Sequence, residues 1–109
     1  MTDRDRIIRA SIAISEVMSA NRQRKRSRIS EKDLWRLVNA QMNLCNATGL
    51  LADRRTKRLS AKQAIEQIDK VFADDAKRKR SRLTAGDKEA IYDARQWLRQ
   101  VLNEEVSDD

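Results

Sequence analysis

The sequence predicts an all-α protein, a single-domain antiparallel four-helix bundle, on three observations. The chain of 109 residues contains no proline and only two glycines, and proline is costly inside a helix. Apolar residues recur at spacings of three and four in four separate segments, which is the pattern of a helix with one buried face. Serine or threonine stands before three of these segments, where an N-cap residue is expected.

The four predicted helices span about residues 4–21, 31–48, 61–77 and 85–106, and residues 107–109 form a frayed acidic tail. Each helix carries one apolar stripe. The stripes comprise Ile7, Ala10, Ile14, Val17 and Met18 in the first helix, with Ile8 and Ile12 beside them; Leu34, Leu37, Val38, Gln41, Leu44 and Cys45 in the second; Ala61, Ala64, Ile65, Ile68, Val71 and Phe72 in the third; and Ile91, Ala94, Leu98, Val101, Leu102 and Val106 in the fourth. Four stripes of this length can enclose one shared core.

The predicted helix ends carry capping signals. The second, third and fourth helices begin after Ser30, Ser60 and Thr84, and each of these residues is followed three positions later by Asp33, Gln63 or Asp87. Gln63 completes a strict capping box with Ser60, and Leu59 is placed to act as a hydrophobic staple. Gly49 follows the second helix as a C′ glycine in the left-handed conformation. Cys45 lies on the second stripe and is interpreted as a small buried side chain.

The connection over residues 50–59 is the longest predicted one, and it leaves a second architecture open. Two helical hairpins could splay apart there, or a pair of hairpins could dimerise. A short internal repeat points to hairpins as units: residues 24–30 read RKRSRIS and residues 78–84 read RKRSRLT, with five of seven positions identical. Duplication of one hairpin explains this repeat, and convergence on a basic turn followed by an N-cap is the alternative.

In an antiparallel bundle the first and third connections lie at the same end, so the sequence predicts one strongly basic pole. The rest of the chain carries 14 basic and 17 acidic residues, so the positive charge is concentrated at that pole. Its ten cationic residues are Arg22, Arg24, Lys25, Arg26, Arg28, Lys77, Arg78, Lys79, Arg80 and Arg82.

Clustered like charges repel each other, so such a pole indicates an anionic partner. Arginine suits bidentate contact with phosphate or carboxylate. The leading hypothesis is a binding module whose pole docks nucleic acid or a nucleoprotein complex. The alternative interpretation is that basic residues close the C-termini of two helices and solvate the turns. Acidic residues open the helices that follow the turns, which disfavours sequence-specific helix-turn-helix binding.

The residue inventory lacks the groups that catalysis and cofactor binding usually require. There is no histidine and one cysteine, so the commonest general base and the usual zinc ligands are missing. No glycine-rich loop is present to hold a nucleotide phosphate. We therefore expect a protein that is not an enzyme and that has no metal and no cofactor.

A second hypothesis is a protein-binding inhibitor or adaptor that masks a surface of its target. Compact, charged proteins of this kind are common among phage and mobile-element products, including anti-CRISPR proteins, although no motif here matches such a family. The candidate contact anchors are Trp35, Trp97, Leu50 and Leu51. For both tryptophans, the alternative is that the indole only covers the edge of the core. A homodimeric scaffold is the third hypothesis.

Cysteine content and hydropathy predict the compartment. The single cysteine cannot form an internal disulfide, which favours a reducing compartment. No apolar run approaches the roughly 20 residues of a membrane-spanning helix, and the start of the chain has no signal-peptide pattern. The sequence thus predicts a cytoplasmic protein with no membrane partner.

Overall fold

The computed structural model contains four α-helices: α1 (Asp3–Arg22), α2 (Glu31–Cys45), α3 (Arg54–Ala76) and α4 (Ala85–Ser107). It describes residues 1–49 and 51–107, with side chains up to residue 102. Leu50 and residues 108–109 of the predicted acidic tail lie outside the described residues. The last helix reaches Ser107, so it extends one residue into the segment that was predicted to be frayed.

The helices pack in a ring in which α1 lies against α2 and α4, and α3 lies against α2 and α4. Contacts near the helix ends give the directions: Arg24, after α1, meets Asp87 at the start of α4, and Arg78, after α3, meets Asp33 at the start of α2. At the other end, Arg4 in α1 donates to the carbonyl of Thr48 after α2. Neighbouring helices are therefore antiparallel, which confirms the four-helix bundle and excludes splayed hairpins.

Two of the three predicted N-caps are present. The Ser30 hydroxyl accepts a hydrogen bond from the Asp33 N–H at 3.2 Å. Thr84 and Asp87 form a complete capping box, because the Thr84 hydroxyl accepts from the Asp87 N–H at 3.0 Å and the Asp87 carboxylate accepts from the Thr84 N–H at 3.1 Å. These bonds satisfy N–H groups that have no partner within the first turn of a helix.

The predicted start of the third helix is wrong. The helix begins at Arg54, because the Asp53 carboxylate caps it by accepting from the Thr56 N–H at 2.7 Å. Ser60 is buried within α3 and is not an N-cap, and Leu59 is exposed. No proline or glycine lies between residues 53 and 60, so nothing stops the helix from starting at the earlier cap.

Two predictions at the end of α2 are also wrong. The helix ends at Cys45 with Asn46 as its C-cap, and Gly49 does not adopt a positive φ. The sharp left-handed stop that would have required glycine is therefore absent. Cys45 is exposed, because it lies at the edge of the stripe, whose buried line runs through Leu37, Ala40 and Leu44.

The buried core residues repeat along the chain with the same spacing as the short basic sequence repeat. All 18 buried apolar residues described fall into nine pairs separated by 54 positions, which is the spacing of the repeat. The pairs are Ile7 and Ala61, Ala10 and Ala64, Ile14 and Ile68, Val17 and Val71, Ile29 and Leu83, Leu37 and Ile91, Ala40 and Ala94, Leu44 and Leu98, and Ala47 and Val101. The bundle thus consists of two structurally equivalent hairpins, α1–α2 and α3–α4.

Candidate nucleic-acid interface

Reciprocal ion pairs hold the two basic turns side by side. The Arg24 Nη2 donates to both carboxylate oxygens of Asp87, at 3.2 and 3.0 Å, and the Arg78 Nη1 donates to Asp33 at 3.0 Å. Arg24 and Arg78 are equivalent positions of the two hairpins, and so are Asp33 and Asp87. Each hairpin therefore supplies the arginine for the other hairpin's aspartate, as an approximate two-fold axis requires.

A second pair of contacts joins the turns through their backbones. The Arg28 Nη2 donates to the Ser81 carbonyl at 3.2 Å, and the Arg82 Nε donates to the Arg28 carbonyl at 2.6 Å. Together with the ion pairs, these bonds fix one turn against the other. The ten cationic residues that the sequence assigned to one pole are thus brought to one end of the bundle.

A buried polar side chain at the end of α1 and of α3 organises each turn from inside. The Asn21 side-chain oxygen accepts from the N–H groups of Arg28 and Ile29 at 3.0 and 3.2 Å. Its equivalent, Asp75, accepts from the Arg82 N–H at 2.9 Å and from the hydroxyl of Ser81. Burial alone raises the pKa of Asp75, but the hydrogen bonds from Ser81, Arg82 and Arg78 outweigh burial and lower it below its usual value.

We expect Asp75→Asn to destabilise the protein by roughly 1–2 kcal/mol at pH 7, because the amide fits as Asn21 does but loses the charge that faces Arg78. A carboxyl group whose pKa is lowered by folding stabilises the fold above its unfolded pKa, about 3.9, and loses that contribution as the pH falls through the folded value. The difference in unfolding free energy between the two proteins should therefore shrink at about pH 3 in urea titrations. An equal difference at both pH values would contradict this role for Asp75.

Six cationic side chains of the pole face solvent. All six are exposed, and within the described part of the chain none of these side chains has a hydrogen-bonding or ion-pair partner: Arg22, Lys25, Arg26, Lys77, Lys79 and Arg80. Lys25 is equivalent to Lys79, and Arg26 to Arg80. The pole therefore presents two matching pairs of cations, together with Arg22 and Lys77, on a fixed frame. We call these six residues the outer cations.

Most of the nearby negative charge is directed inward. Asp33, Asp75 and Asp87 are buried, and each accepts from an arginine of the turns. Glu31 and Glu89 remain exposed at the starts of α2 and α4. Arg24 and Arg78 are thus paired with carboxylates within the fold, while the outer cations form no ion pair in the described part of the chain.

The predicted protein-contact anchors differ in how exposed they are. Trp35 is 62% exposed, and Leu51 is 99% exposed. Trp97 is half-buried against the core, with the Arg9 guanidinium 5.3 Å from the centre of its ring. Trp35 lies on a small apolar surface with Leu34 and Val38. Leu34 and Val38 also line a neighbouring groove, which extends to Arg22 of the pole. Leu50 is outside the described residues.

The sequence prediction placed the basic residues at one end but missed the residues that lock them there. Asp33 and Asp87 were expected only to assist N-caps, and Asn21 and Asp75 had no assigned role. A signal was available, because the 54-residue spacing of the repeat also aligns Asp33 with Asp87 and Asn21 with Asp75. Polar residues that fall at equivalent positions next to both basic turns are candidates for shared structural bonds.

No family model, curated protein or solved structure matches the chain. Among the residues described, no group of three or more histidine, cysteine, aspartate or glutamate side chains is arranged to hold a metal ion. In the same part of the chain, no helix is both long and apolar enough to cross a membrane.

Proposed function

We propose that the outer cations dock the phosphate backbone of double-stranded nucleic acid. The observation that carries this proposal is that the cations of the pole fall into two groups, those bonded within the protein and those exposed without such bonds. Four arginines hold the turns together, and six exposed cations make no hydrogen bond or ion pair in the part of the chain described. Like charges fixed in this way repel one another in the free protein, and a polyanion relieves that repulsion.

The two-fold relation of the turns favours a duplex as the ligand. The two antiparallel strands of a duplex are themselves related by two-fold axes, and two-fold proteins commonly align their axis with one of these. Lys25 and Arg26 would then face phosphates of one strand, while Lys79 and Arg80 face phosphates of the other. Contacts to phosphate fix position and orientation without reading base sequence, so binding should be independent of sequence.

The first test compares a labelled duplex with a single strand of the same sequence by fluorescence anisotropy at low salt. We expect the duplex to bind about tenfold more tightly, because it presents about twice the charge per unit length and engages both sets of cations. Two duplexes of unrelated sequence should bind equally. Absence of binding to either form at about 50 mM salt would contradict the proposed function.

A second candidate function is binding of an acidic protein, and it is favoured by the exposed Trp35 beside the pole. An aromatic anchor next to a charged rim is typical of protein-contact surfaces. Trp35→Ala separates the two candidates. Duplex binding should change by less than about threefold if the outer cations dominate, whereas an acidic protein anchored on the indole would be lost.

A further inference from the structure

A groove between α1 and α4 exposes apolar side chains beside charged ones. Its volume is about 640 Å³, and its apolar surface comes from Met1, Ile8, Ile12, Ala13 and Trp97. Ile12 is 52% exposed although it lies in the middle of α1. Ile12 therefore offers an exposed apolar contact in the middle of the groove.

Because the two hairpins are equivalent, the residues of this groove can be compared with those at the equivalent positions on the other side of the bundle. The equivalent groove lies between α2 and α3 and has a volume of about 430 Å³. At five equivalent positions the α1–α4 groove has Arg9, Ile12, Ala13, Asp93 and Trp97, and the α2–α3 groove has Gln63, Glu66, Gln67, Asn39 and Asn43. The same backbone arrangement thus carries polar residues at these five positions in the second groove. Trp97 also packs against the core, but packing of the bundle does not explain why Ile12 lines the first groove.

The charges around the α1–α4 groove indicate what kind of partner fits it. Three exposed carboxylates line it, from Asp5, Glu16 and Asp93. The one guanidinium in the lining, that of Arg9, is stacked over the ring of Trp97. The chain's amino group, on Met1, lies at one end. The three carboxylates outnumber the two cationic groups of the lining, although the whole protein carries a net charge of +7.

The shape of the groove points to a helix as the ligand. Its α1 lining residues recur at helical spacing from Asp5 to Glu16, which corresponds to about 17 Å of helix at 1.5 Å per residue. Grooves of this length typically bind the apolar face of an amphipathic helix. We propose that the α1–α4 groove binds an amphipathic helix of a partner protein, with leucine-like residues against Ile12 and Trp97 and with lysine or arginine facing Asp5, Glu16 and Asp93.

This site is separate from the outer cations. The groove lining on α1 ends at Glu16, more than one helical turn before Arg22 and the basic turn. A partner in the groove leaves the pole open, so one molecule can hold nucleic acid at its end and a protein along its side. The groove proposal does not depend on the proposed nucleic-acid function.

The test uses a synthetic helical peptide of about 16 residues, made of leucine and lysine with leucine at spacings of three and four. Binding is followed by Trp97 fluorescence in a Trp35→Phe background. We expect saturable binding with a blue shift, and at least a tenfold loss of affinity in Ile12→Gln. The matched control is Glu66→Gln at the equivalent position of the other groove, which should bind as the parent protein does. Circular dichroism establishes that both variants are folded.

Three results would overturn the proposal: no saturable binding below about 1 mM, equal affinity in Ile12→Gln, or equal affinity for a peptide with glutamate in place of lysine. Because the protein is cationic overall, attraction of a basic peptide by net charge cannot imitate the expected result. Duplex binding measured on the same Ile12→Gln protein should be unchanged. A failure of the groove proposal is thereby distinguished from a failure of the nucleic-acid proposal.

Discussion

Replacing Asp33 with alanine is expected to destabilise the protein by about 3–4 kcal/mol, the largest effect of any single substitution considered. The Asp33 side chain is fully buried and accepts from Arg36 at 3.1 Å and from Arg78 at 3.0 Å. Removing it leaves two largely buried guanidinium groups without that partner, and breaking a buried pair from one side is strongly destabilising. Guanidinium chloride unfolding followed by circular dichroism measures the loss.

The matched control is Asp69→Ala, which removes a carboxylate that is 49% exposed and pairs with Arg95 at 2.9 Å. Exposed ion pairs contribute little because water and salt screen them, so we expect a change below about 0.5 kcal/mol. If Asp33→Ala were no more destabilising than Asp69→Ala, the reciprocal ion pairs would not be what holds the basic turns together.

The second large effect is expected on nucleic-acid binding when four outer cations are neutralised together. The variant changes Lys25, Arg26, Lys79 and Arg80 to glutamine. We expect duplex affinity to fall on the order of a hundredfold at physiological salt, because four phosphate contacts and the associated release of counterions are lost. The fold should be retained, since these side chains are exposed and have no partner in the described part of the chain.

A control variant with the same change in net charge shows whether position matters. It changes four exposed cations that lie outside the pole, Arg55, Lys62, Lys70 and Arg99, to glutamine. We expect this variant to retain most of its affinity. Equal losses in the two variants would mean that binding depends on overall charge and not on the pole.

If the two-fold relation of the turns matters for binding, the two equivalent pairs of outer cations should contribute equally to duplex affinity, which a general basic patch would not require. One double variant changes Lys25 and Arg26 to glutamine, and the other changes Lys79 and Arg80 to glutamine. The two variants remove equivalent pairs of outer cations, so both should lose similar affinity for a duplex. Markedly unequal losses would contradict symmetric docking while leaving phosphate binding itself intact.

Local sequence signals were sufficient to predict the architecture of the bundle. The apolar spacing identified the stripes, and the Ser30 and Thr84 caps positioned two of the helix starts, because both signals depend on residues close in the chain. The start of α3 was mispredicted for the same reason. Ser60 with Gln63 satisfied a capping box, yet an earlier cap at Asp53 competes for the same helix, and elongating a helix is favourable once it has begun.

The site was predictable in position but not in its internal organisation. The location of both basic turns at the same end of the bundle follows from the order of the helices alone. The distinction between structural arginines, such as Arg24 and Arg78, and the outer cations depends on pairing across more than 40 residues. Extending the 54-residue spacing along the stripes would have revealed only that the two hairpins are equivalent, because Ala10 and Ala64, Ile14 and Ile68, and Asp33 and Asp87 are identical pairs.

The central claim is that the outer cations contact phosphates directly, and the salt dependence of duplex binding tests it most directly. With six contacts, the logarithm of the association constant should fall against the logarithm of salt concentration with a slope of about −5. In the variant that lacks four outer cations the slope should be about −2. A shallow slope in the unsubstituted protein, or the same slope in both proteins, would contradict the claim.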